Sequence, residues 1–74
     1  MTGRWWPLWV ELLRPTPWAT TRCEVYEADG WLVFAAEDGW RSDHRLEVRV
    51  SLGDLEDPDA VELLLRESVR AAER

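Results

Sequence analysis

The clearest alternation in the chain lies between Arg45 and Leu52, where Leu46, Val48, Val50 and Leu52 take one side and Arg45, Glu47, Arg49 and Ser51 the other. A period of two is the signature of a strand with one dry and one wet face. Upstream, Arg22–Ala28 also alternates, with Cys23 and Val25 opposite Glu24 and Tyr26, and Trp31–Ala36 is an unbroken apolar run. Asp29–Gly30 separates these two segments, and Asp-Gly is a strong signal for a type I′ hairpin because both central residues need positive φ. The apolar run then reads as a central strand covered on both faces. Glu37, Asp38 and Gly39 supply the next turn. Leu8–Leu13, ending before Pro15, reads as a further strand at the start of the chain, followed by a loop at Thr16, Pro17 and Thr20–Thr21 that holds Trp18.

The C-terminal pattern changes period. Asp57 suits an N-cap, Pro58 the first helical position, and Asp59 and Glu62 the positive end of the helix dipole. At ~100° per residue, Ala60, Val61, Leu64, Leu65, Ser68, Val69 and Ala72 share one arc. Asp59, Glu62, Arg66, Arg70 and Glu73 share the other, with Glu62 and Arg66 placed for an i,i+4 ion pair. Leu63 breaks the pattern by projecting among the charges. The expectation is a single α+β domain over residues 1–74: a small antiparallel meander of three to four strands packed against one C-terminal α-helix.

Composition sharpens this picture at three points. At 74 residues the chain has room for one core, and a domain this short buries only about 60% of its unfolded surface. Its six tryptophans, Trp5, Trp6, Trp9, Trp18, Trp31 and Trp40, would each occlude about 150–250 Å² if buried. Such a core cannot house them all. Trp31 is expected inside, and Trp18 with one of Trp5, Trp6 and Trp9 outside. Nine basic residues, all arginine, face fifteen acidic ones for a formal charge of -6. That balance argues against direct nucleic-acid binding, which needs clustered Lys or Arg.

Candidate chemistry is sparse. The one cysteine, Cys23, allows no internal disulfide and offers no metal-binding pair, so a reducing, cytoplasmic setting is expected. The first thirteen residues do not read as a signal peptide, and no apolar stretch reaches the about 20 residues of a membrane span. His44 reads as a loop histidine in the polar segment 41–45, since the adjacent Asp43 points away from it on extended backbone. Cys23 lacks an activating neighbour on its own face. No nucleophile, base and orienting group converge, so no enzyme and no cofactor are expected.

What remains is binding. Asp54, Glu56, Asp57, Asp59 and Glu62 place five carboxylates in nine residues with no base among them. A calcium loop would need glycine sixth and glutamate twelfth, where Asp59 and Leu65 stand. The acids suit helix capping and solubility first, and as a sharper, second reading a patch that meets a basic surface and steers association. Exposed tryptophan is a common interface anchor. The candidate partner-binding residues are therefore Trp5, Trp6, Trp9, Trp18, Asp54, Glu56, Asp57, Asp59 and Leu63. The leading expectation is a small acidic inhibitor or regulator that docks on a nucleic-acid-handling protein, antitoxin and immunity proteins included. The alternative is an assembly module that forms homodimers through its Trp-rich N-terminal strand.

Overall fold

The computed structural model describes residues 3–39 and 41–73; Trp40 lies outside the described residues. The chain runs α1 (Trp5–Leu13), a 3-10 helix (Pro17–Thr20), β1 (Cys23–Ala28), β2 (Trp31–Asp38), β3 (Arg41–Ser51), a second 3-10 helix (Leu52–Glu56) and α2 (Pro58–Ala72). The strands form one antiparallel sheet in the order β1-β2-β3, the meander expected, with the expected helix at its C-terminal end.

The first element is a correction. Leu8–Leu13 belongs to a helix, not a strand. Pro7 does not prevent this, because it is the third residue of α1 and the N–H groups of a first turn have no intrahelical acceptor. Trp9 and Leu13, four residues apart, stack on one face and are both 0% exposed. Thr16 closes the helix: its Oγ1 donates to the Leu13 carbonyl at 2.8 Å and accepts the Trp18 N–H at 3.2 Å. The same side chain thus ends α1 and caps the 3-10 helix that follows.

The β1–β2 hairpin turns on Asp29 (φ 51) and Gly30 (φ 82), the positive pair a type I′ turn requires. Leu32, Phe34 and Ala36 of β2 point into the core beside Val25 of β1 and Val48 and Val50 of β3. α1 packs against β1 and α2, and α2 against β3, so both helices cover the same face. Val61, Leu65 and Val69 are the buried side of α2. The predicted arc was too wide, since Ala60 and Leu64 are exposed.

Among the described residues no helix covers the other sheet face, yet Val33 and Ala35 are only 3% and 2% exposed. Their cross-strand neighbours are Tyr26 and Arg49 for Val33, and Glu24 and Glu47 for Ala35. The stems of these side chains roof the small residues while their polar or charged ends stay in water. Arg45 joins Glu37 at 3.1 Å and Glu47 at 3.3 Å, and Arg49 joins Glu47 at 3.0 Å. Trp31, expected inside, is at the end of this face beside the hairpin and is 44% exposed. His44 lies within β3 rather than in a loop, with Nδ1 4.0 Å from Asp38 Oδ2.

Candidate functional site

Nucleophilic chemistry has little to work with. The Cys23 thiol lies 3.7 Å from the carbonyl oxygens of both Trp18 and Thr21, and burial pushes its pKa up. A thiol held in its protonated form is a poor nucleophile. Among the described residues, no group of three or more His, Cys, Asp or Glu is placed to hold a metal ion. No helix among the described residues is long and apolar enough to cross a membrane.

The acidic run spans the junction between β3 and α2. Asp54 and Glu56 lie in the second 3-10 helix, Asp57 is the N-cap of α2 and Asp59 lies in its first turn. All four are exposed. Asp57 Oδ1 accepts the Ala60 N–H at 3.2 Å, which fixes one carboxylate as a cap. None of the four forms an ion pair among the described residues, whereas Glu62, further along α2, is held by Arg66 at 2.7 Å. Apolar surface lies beside the acids. Leu52, Leu63 and Leu64 are 39%, 58% and 41% exposed, three of the four large hydrophobic residues left so open among the described residues. Asp54, Asp57, Ala60, Val61 and Leu64 line a groove of about 160 Å³ together with Val50. Of these leucines the sequence pattern singled out only Leu63, because Leu52 and Leu64 fall on phases that looked inward.

The tryptophans do not form one surface. Trp9 is a core residue at 0% exposure and out of a partner's reach. Trp5, Trp6 and Trp18 are half-buried against the core, and the Arg4 guanidinium sits 4.9 Å from the Trp5 ring centroid. Trp6 has open space beside it. It lines a groove of about 410 Å³ with Cys23, Glu24, Val25 and Tyr26 of β1, and another of about 400 Å³ with Pro7, Val10, Glu11 and Arg14. The β1 side of Trp6 escaped the sequence reading, because a strand was expected where α1 lies and β1 was therefore not an edge. Compared with known protein families, curated proteins and solved structures, the chain matches none.

Proposed function

We propose that this protein is a protein-binding module that docks through its acidic segment, residues 52–64, onto a basic surface of a partner. An inhibitor or regulator of a nucleic-acid-handling protein is the role that suits such a surface. The observation that supports it is the juxtaposition in that segment: four exposed carboxylates without arginine partners among the described residues, beside three exposed leucines. Apolar anchors within a charged rim are the usual anatomy of a protein interface. The carboxylates would stand in for the phosphates that the partner's basic groove normally meets, and would speed encounter. The module itself carries out no reaction and binds no nucleic acid, and a reducing cytoplasmic setting suits its single thiol.

The test replaces Asp54, Glu56 and Asp59 by Asn, Gln and Asn, and leaves Asp57 in place as cap. Association with a partner captured from the native host is then measured at low and high salt. The triple variant is expected to associate more slowly and with a flatter salt dependence, while dissociation changes less. Equal on-rates and equal salt slopes would remove the acidic segment from the interface.

A further inference from the structure

The two free edges of the sheet are built differently. Glu37 donates its N–H to the Arg22 carbonyl at 3.1 Å, which sets the hydrogen-bond phase of the β1–β2 ladder. With the register Cys23↔Ala36 through Ala28↔Trp31, Glu24, Tyr26 and Ala28 bond to β2. Cys23, Val25 and Glu27 turn their N–H and C=O groups outward. On the far side, the Leu52 N–H bonds the Gly30 carbonyl at 3.2 Å, so the outward residues of β3 include Ser51 and the charged Arg45, Glu47 and Arg49. Those three carry linked charges, the usual protection of an edge against pairing. β1 has no such guard, since two of its three outward residues are Cys23 and Val25.

The β1 edge also borders apolar surface. Trp6 overhangs it across the about 410 Å³ groove, and α1 is apolar beyond the face it buries, with Val10 beside Trp6 in the second groove. Charge distinguishes the possible occupants. Around this edge stand Glu11, Glu24 and Glu27 against Arg14 and Arg22, three carboxylates to two guanidiniums, while the whole chain is at -6. Glu24 is already paired with Arg22 at 2.9 Å. A nearly neutral, apolar strip on an acidic molecule is a poor match for a basic partner and a good match for itself.

We propose that β1 pairs antiparallel with β1 of a second copy, giving a continuous six-stranded sheet in a symmetric dimer. Centred on Val25, the pairing sets Val25 opposite Val25, Cys23 opposite Glu27 and Glu24 opposite Tyr26. No like charges stand directly opposite in that register, and every outward group of β1 finds a bond. A two-fold axis normal to the sheet puts both helical layers on the same side, so the Trp6–Val10 flanks of the two α1 helices meet over the new seam. The interface is isologous and closed. It involves a surface separate from the acidic segment and stands or falls without it.

Sedimentation equilibrium of the full chain from about 5 to about 500 µM spans the range in which a small interface of this kind dissociates. The mass should rise from 8.7 kDa towards twice that value, with a midpoint in the micromolar range. Added salt should tighten the dimer, because it screens the repulsion between two acidic chains, the opposite of its effect on docking through the acidic segment. Glu27→Pro removes an outward N–H without touching the β1–β2 ladder and should weaken dimerisation at least about tenfold. Trp6→Glu should do the same, and the triple acidic variant should not. Amide exchange gives a readout that needs no variant: Cys23, Val25 and Glu27 should slow as concentration rises, while Arg45, Glu47 and Arg49 do not. A mass of one chain at every concentration would overturn the proposal. So would a dimer indifferent to Glu27→Pro and Trp6→Glu, or one that protects the β3 amides instead, or β1 amides that slow only when a different protein is added.

Discussion

Trp9 lies against Phe34 with ring centroids 5.5 Å apart and planes inclined at 59°, a tilted pair that joins α1 to the central strand. Both residues are 0% exposed. This contact explains why the first segment of the chain must be helical: it carries the largest side chain of the core, and i,i+4 spacing delivers Leu13 to the same place. Trp9→Ala is expected to cost about 3–5 kcal/mol, much of the stability available to a domain of this size. Trp9→Phe should cost less. It loses area but also removes the indole N–H, which is buried without a hydrogen-bond partner among the described residues. Urea unfolding of both variants checks the order. If Trp9→Ala left the midpoint unchanged, α1 would not belong to the core.

Leu63 and Leu65 offer a second comparison, two residues apart on one helix. Leu65 is 0% exposed and Leu63 58%. Leu65→Ala should cost about 2–5 kcal/mol, and Leu63→Ala should stay within about 0.5 kcal/mol of the parent. Thermal melts of the two proteins should differ by many degrees. Similar midpoints would mean that the phase of α2 is wrong.

Asp57 serves α2 through one acceptor, its Oδ1 on the Ala60 N–H. Asp57→Ala should cost about 0.5–2 kcal/mol, and Asp57→Asn, which keeps the acceptor, should be close to neutral. Circular dichroism through a denaturant titration measures both. Equal losses in the two variants would assign the stabilisation to charge at the helix start rather than to the cap.

Which parts of this fold could be read in advance follows from how local their signals are. The Asp29–Gly30 turn, the inward Val48 and Val50 of β3, and the Asp57–Pro58 start of α2 each rest on a few adjacent residues, and each matches the structure. α1 went wrong because a run such as Leu8–Leu13 suits a buried strand and a buried helix alike. The deciding clue was Pro7, which is tolerated in a first helical turn. Trp31 was misplaced for another reason: an apolar run implies cover on both faces, but the cover on the far face comes from the side chains of Tyr26, Glu24, Glu47 and Arg49, and it stops short of the hairpin. At the candidate site, the acids were legible as charge. Their leucine neighbours were not, because Leu52 and Leu64 continue inward-facing patterns to positions that stay about two-fifths exposed, at 39% and 41%.

The roof over that far face should leave a trace in the acid limb of stability. The Glu47 carboxylate accepts from Arg49 Nε at 3.0 Å and Arg45 Nε at 3.3 Å. The bond from Arg49, followed by that from Arg45, holds its pKa below the ordinary 4.5. A carboxylate with a lowered folded pKa binds fewer protons in the folded chain than in the unfolded one between the two values. Its contribution is therefore present in full above the ordinary pKa and is lost as pH falls through the folded one. Glu47→Gln should behave like the parent in its response to pH at neutrality, but lose less stability as acid is added below about pH 4.5. The side chain is 29% exposed, so the difference should be small and shrink in high salt. Denaturant midpoints of the two proteins from neutral pH into the acid range, at low and high salt, decide it. Parallel curves at low salt would mean that the Arg45–Glu47–Arg49 contacts do not persist in solution, and Ala35 would then lack the cover that its 2% exposure implies.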